Sequence, residues 1–143
     1  MTRAQTAQTA QAHSTRTTLD AFLDRFGSGD IPGVLALFAG TVDFRVDGSP
    51  NVPWTGTRSR PDQIAAFFAL LPTVLTPPES FTVHTRVVDG HDAVLTAHGV
   101  FGVLATGKKF TNRYALHLRV EDGLITRYHM YEDSHAIARA FAD

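Results

Sequence analysis

Cysteine is missing altogether from this 143-residue chain, lysine occurs only twice, and neither sign of charge prevails. The missing cysteine excludes disulfides, thiolate metal sites and a cysteine nucleophile, and it leaves the redox compartment open. With 13 basic against 14 acidic residues and a formal net charge of -1, the chain shows no electrostatic footprint for nucleic acid or an anionic membrane. No apolar run is long enough to span a bilayer, and MTRAQTAQTAQAHSTRTT lacks the apolar stretch of a signal peptide, so a cytoplasmic location is expected. The histidines form no HxH or HExxH pair, no glycine loop is built for phosphate, and no serine sits in a nucleophile elbow. The expectation is therefore no metal, no cofactor and no covalent mechanism.

What remains is one domain, since a chain of this length buries roughly two-thirds of its unfolded surface. Residues 1–14 are Ala, Gln and Thr with little to pack, and they read as a flexible tail. From Thr15, Leu19, Phe22, Leu23 and Phe26 recur on one helical stripe that ends at Gly27-Ser28-Gly29. Asp30 caps a second short helix with Pro32 in its first turn. Thr41 to Val46 reads as a strand running into the turn-forming Asp47-Gly48-Ser49-Pro50, followed by a loop from Trp54 to Arg60. Pro61 and Asp62 open a third helix, which Pro72 and Pro77-Pro78 close. Strands at 81–88, 92–104, 109–121 and 124–133 are separated by Asp89-Gly90, Thr106-Gly107 and Asp122-Gly123, the signature of consecutive hairpins. Ser134 can cap a final short helix. The order is α+β, with helices on one face of a curled antiparallel sheet. Strands such as VLTAHGVFGVL are apolar on both faces, which predicts a homodimer through the outer sheet face.

Three strings, GDIPGVLALFAGTVDF, PWTG with a helix ending IAAFFALL, and VEDGLITRYHMYED, resemble the SnoaL-like and ketosteroid isomerase-like branch of the nuclear transport factor 2-like superfamily. The resemblance implies a cone-shaped, cystatin-like curved antiparallel sheet with three N-terminal helices, a SnoaL-like domain over 15–143. It implies an apolar pocket and a cofactor-independent acid–base enzyme of cyclase, isomerase or dehydratase type, acting on a hydrophobic carbonyl-bearing or polyketide-like molecule. An epoxide hydrolase-like enzyme and a non-catalytic small-molecule-binding module share that fold.

Residue by residue, the resemblance mostly reports losses. The oxyanion-hole tyrosine of ketosteroid isomerase falls on Phe22, its protonated aspartate on Ala115, and its general base on either Val46 or Asp47. The cyclase histidine matches His117, while the acid of the cyclases and of limonene epoxide hydrolase falls on Met130. Two residues on, Glu132 shares the face of Tyr128 and Met130 by strand alternation and can supply the acid. The candidate set is therefore His117 and Glu132 for proton transfer, Asp47 as a base at the pocket mouth, and Arg113 or Tyr128 to polarise oxygen. Trp54, Met130, Phe22 and Val46 are candidates for the pocket wall. The alternatives stay open: Arg113 and Glu132 can form a structural ion pair with His117 at the rim, Asp47 can be a turn former, and Trp54 a core plug. His98 reads as a satisfied core or interface histidine, and His129 and Asp133 as outer-face residues.

Overall fold

Helix α1 of the computed structural model, which describes residues 2–143, runs from Arg3 to Gly27. The expected tail is thus helical from Arg3 onward, with Met1 outside the described residues. Ala and Gln are good helix formers, and Thr2 closes a capping box: its hydroxyl accepts from the Gln5 N–H, and its own N–H donates to Gln5 Oε1. Residues 2–10 remain exposed. Docking begins at Gln11, whose Nε2 donates to Val120 O at 3.2 Å, and continues through two buried threonines. The Thr15 hydroxyl donates to Gly90 O at 2.7 Å, and that of Thr18 to Gly123 O at 3.3 Å, so α1 is tied to two hairpin turns. Helix α2 (Ile31–Leu35) has Asp30 as its cap.

Strand β1 (Phe38–Val46) begins earlier than its β-branched run, and a short β2 (Gly56–Arg58) lies in the segment expected to be loop. Helix α3 spans Pro61–Val74 with Pro72 inside its last turn, so Pro72 does not close it. Then come β3 (Ser80–Asp89), β4 (Asp92–Gly102), β5 (Lys109–Glu121) and β6 (Leu124–Tyr131). Helix α4 (Ser134–Phe141) is capped by Asp133, not Ser134, because Asp133 Oδ1 accepts from the Ala136 N–H. Asp122 (φ 52) and Gly123 (φ 75) give the β5–β6 hairpin the two left-handed positions of a tight turn that follows the strand twist. Among the described residues no helix is long and apolar enough to cross a membrane.

The six strands form one sheet in the order β2-β1-β6-β5-β4-β3. All neighbours are antiparallel except β1 and β6, which run parallel with Phe44 beside Tyr128 and Val46 beside Met130. The inner face packs against α1 and α3 through the aromatic rings of Phe22, Phe38, Phe44, Phe67, Phe68 and Tyr128. At their centre Phe44 and Tyr128 stack with centroids 4.4 Å apart and planes 5° from parallel. Phe44 is 1% exposed, so its removal leaves a void that few neighbours can fill. Phe44→Ala is expected to cost about 3–5 kcal/mol in a urea unfolding curve; a loss below about 1 kcal/mol would show that the stack is not the centre of the core.

Candidate active site

Alternation along β5 decides which side chains enter the cone. Phe110, Asn112, Leu116, Leu118 and Val120 are buried, and Tyr114 packs against the core between them. Their neighbours Arg113, His117 and Arg119 therefore stand on the outer face. His117 lies opposite Val94 and His129, and its Nε2 meets Asp92 Oδ1 at 2.8 Å. Arg113 is exposed and borders an outer cleft of about 330 Å³ with His84, His98 and Tyr131. The sequence-based grouping of His117 and Arg113 with Glu132 around one cavity is thus not what the structure builds. They occupy opposite faces, which also removes the Arg113–Glu132 ion pair.

Glu132 does point inward. It follows β6 just where the chain turns toward α4, and its two oxygens are both engaged. The indole Nε1 of Trp54 donates to Oε1 at 2.8 Å, and Asn112 Nδ2 donates to Oε2 at 2.5 Å. Asn112 Oδ1 in turn accepts from the Asp133 N–H at 3.3 Å, which orients the amide. Burial pushes the Glu132 carboxyl above its ordinary range, and the two donated hydrogen bonds only partly oppose this. The same burial, with the nearby Glu132 charge adding to it, raises the phenol of Tyr114. Tyr128 is likewise raised well above its ordinary value, first by burial and then by the charges of Tyr114 and Glu132. Glu132, Asn112, Trp54, Tyr114 and Tyr128 are thus a polar group set into an otherwise apolar wall.

Asp47 is exposed and pairs with Arg45 at 3.1 Å, while Val46 is fully buried on the inner face. Of the two residues competing for the general-base position, the structure therefore points the aliphatic one inward. Phe22, Val46 and Tyr128 are buried in the core, and Met130 packs against it. Trp54 is 3% exposed, with its ring edge-on to Phe141 of α4 at 5.4 Å. His98 Nδ1 meets His84 Nε2 at 2.6 Å on the outer face, and His129 lies 2.9 Å from Asp43, whose carboxyl this contact holds below its usual range. Asp133, expected on the outer face, caps α4.

Sequence reasoning missed Asn112 and the indole donor. The signal for Asn112 was present: a lone amide at an inward position between Phe110 and Tyr114 must find a buried partner. The partner itself, on a loop and a different strand end, had no local signal. Among the described residues no three acids or histidines come together as metal ligands.

Known structures share this architecture. An NTF2-like protein of unknown function from Burkholderia pseudomallei K96243 superposes with a TM-score of 0.81 at 21% identity, covering 91% of this chain and 98% of that one. TerC, co-crystallised with polyporic acid, gives 0.74 at 23% identity, with 90% and 98% covered. A protein from Pseudomonas putida KT2440, provisionally named a polyketide cyclase, gives 0.70 at 18%, with 87% and 96% covered. At these identities the likeness shows the fold alone. No curated protein matches the sequence. The model of the SnoaL-like domain matches residues 19–128, most of the chain and nearly all of the sheet, and the chain belongs to the SnoaL-like domain family.

Proposed function

We propose that the domain is a cofactor-independent acid–base enzyme acting on a hydrophobic, carbonyl-bearing or polyketide-like small molecule, with Glu132 as the proton carrier. The observation that carries this reading is the inward carboxyl of Glu132, raised by burial and held at both oxygens by Trp54 and Asn112. A carboxyl tuned upward toward neutrality is a better base than an ordinary glutamate and a usable acid once protonated. As carboxylate it takes the proton from carbon next to a carbonyl, and the electron pair moves onto the carbonyl oxygen. The phenols of Tyr114 and Tyr128 stay protonated because burial raises them, so either can donate a hydrogen bond to that oxygen. Return of the proton to another carbon completes an isomerisation; attack of the enolate carbon on a second carbonyl closes a ring; loss of a neighbouring hydroxyl as water is a dehydration. The polyketide cyclase name and the polyporic acid complex among the structural relatives support this substrate class.

A second reading, a non-catalytic binding module, is favoured by one observation. The aromatic rings around Phe44 and Tyr128 pack the core, and Glu132 lines neither the cleft beside Arg113 nor the one beside Gln63. On that reading Glu132 clamps Trp54 and Asn112 beneath α4. An epoxide hydrolase-like reading loses Asp47, which is exposed, and keeps Glu132 alone to activate water, with Met130 where the resemblance implies the acid. We also propose that two copies pair through the outer sheet face, where Val87, Val94 and Tyr131 are exposed.

Proton abstraction can be followed without knowing the natural substrate, by deuterium exchange next to the carbonyl of a bicyclic aromatic ketone. Glu132→Gln should slow that exchange at least about 100-fold and Tyr128→Phe about 10-fold; equal rates in wild type and Glu132→Gln would leave the binding-module reading. The exchange rate should rise with pH through a midpoint above the ordinary glutamate value of 4.5. Stability should run the other way. Because the native state holds this proton more tightly than the unfolded chain, the Glu132 contribution is complete at low pH and is lost as pH rises through its raised pKa. Melting temperatures of wild type and Glu132→Gln should therefore draw apart along that limb, and parallel curves would place the carboxyl in an ordinary environment. Sedimentation equilibrium should report a dimer that Val94→Glu converts to monomer; a monomeric wild type at about 100 μM refutes the pairing.

A further inference from the structure

Arg58 is the charged side chain that neither the fold nor the Glu132 site accounts for. It stands on edge strand β2 directly opposite Phe44 of β1. Its guanidinium lies between the sheet and α3, with Cζ 4.9 Å from the Phe67 ring centroid and 5.8 Å from that of Phe44. Nη1 is buried and makes no hydrogen bond among the described residues. Arg45, Arg60, Arg86, Arg119 and Arg127 each meet a carboxylate within ion-pair distance, whereas Arg58 meets none among the described residues. Aromatic faces favour the cation but supply no acceptor for its N–H groups, so the charge is left without a counter-ion.

Arg58 also borders a cleft of about 360 Å³ between Val42 and Phe44 of β1, Ser59, and Gln63 in the first turn of α3. Gln63 accepts with its amide oxygen from the Ser59 N–H at 2.9 Å and the Arg60 N–H at 3.1 Å, which leaves its NH₂ group as a donor. The lining of the cleft is mostly polar: Arg58, the Gln63 amide and the Ser59 hydroxyl stand beside Val42 and Phe44. Asp43 also borders it, with its carboxylate drawn to Arg127 at 3.2 Å and His129 at 2.9 Å. One guanidinium beside a carboxylate suits a monoanion and works against a dianion such as phosphate. A planar carboxylate also matches the planar fork of an arginine guanidinium.

We propose that this cleft at the β2–α3 edge is a binding site for the carboxylate of a small organic acid, with Arg58 as its anchor and Ser59 and Gln63 as accessory donors. The site is separate from Glu132 and does not depend on any turnover. It is tested on the full chain by titrating benzoate, with neutral benzamide and inorganic phosphate as comparison probes, and following the backbone amides and the Arg58 side-chain Nε–H by NMR. Benzoate should shift the signals of Thr57, Arg58, Ser59 and Gln63 saturably, and bind at least 10-fold more tightly than benzamide or phosphate. Arg58→Gln should weaken benzoate at least 10-fold and Arg58→Lys several-fold. Ser59→Leu, which keeps the guanidinium but fills the cleft, should also abolish the shifts, and it decides the matter if Arg58→Gln does not fold. Absence of saturable shifts at these residues, or benzoate binding unchanged in the folded variants, overturns the proposal. So does tighter binding of phosphate, which would reassign the ligand class.

Discussion

The parallel pairing of β1 with β6 is the contact on which the rest of the molecule depends. It joins the first strand of the chain to the last, and every other strand pairing is antiparallel. Only this join sets Phe44 beside Tyr128 and lets their rings stack beneath α3. A parallel pair cannot be made by a turn, because its ends lie far apart in the chain and its closure entropy must be met by burial. The aromatic rings clustered on the stack supply that burial, and they join the α1–α2 and α3 layers to the end of the meander. The same pairing brings the start of β2, and with it Trp54, to the strand end that carries Glu132.

A strand has two faces, and here they serve different chemistry. Inward positions of β5 and β6 bury apolar side chains around a few polar groups, each held by another. Glu132 has the indole and the amide, and the amide has the backbone of Asp133. In such a setting desolvation dominates, so the carboxyl and both phenols shift toward their neutral forms. Outward positions carry His84, His98, His117, Arg119, Arg127 and His129, which meet each other or the carboxylates of Asp43 and Asp92 in partly hydrated contacts. These pairs are exposed enough that solvent weakens them, and they add little to stability. They give the outer face a polar pattern instead.

Much of the fold was legible in the chain because local signals stated it. The Asp-Gly turns, the period-two runs and the Asp30 cap each have a physical cause within a few residues. The extension of α1 to Arg3 is not legible from packing, because a capped stretch of alanine and glutamine can stay helical without it. Serine favours the cap role, yet Asp133, one residue earlier, is the side chain that accepts from the Ala136 N–H. Strand β2 carried no signal of its own, since three residues at an edge pair only because β1 is already there.

By itself the sequence determined the order of the longer elements, the helices-then-meander architecture and the strand face that Glu132 shares with Tyr128 and Met130. All of these follow from period and turn chemistry. Tertiary structure alone decided which partners those residues meet. Alternation along β5 had to be anchored to a face before His117 and Arg113 could be placed, and that anchor is the packing of Leu116, Leu118 and Val120 against the helices. Trp54 and Asn112 reach Glu132 from a loop and a neighbouring strand across long stretches of chain. Arg58 lies over Phe67 for the same reason: contacts between residues distant in sequence are set by how the layers close, and no local pattern encodes them.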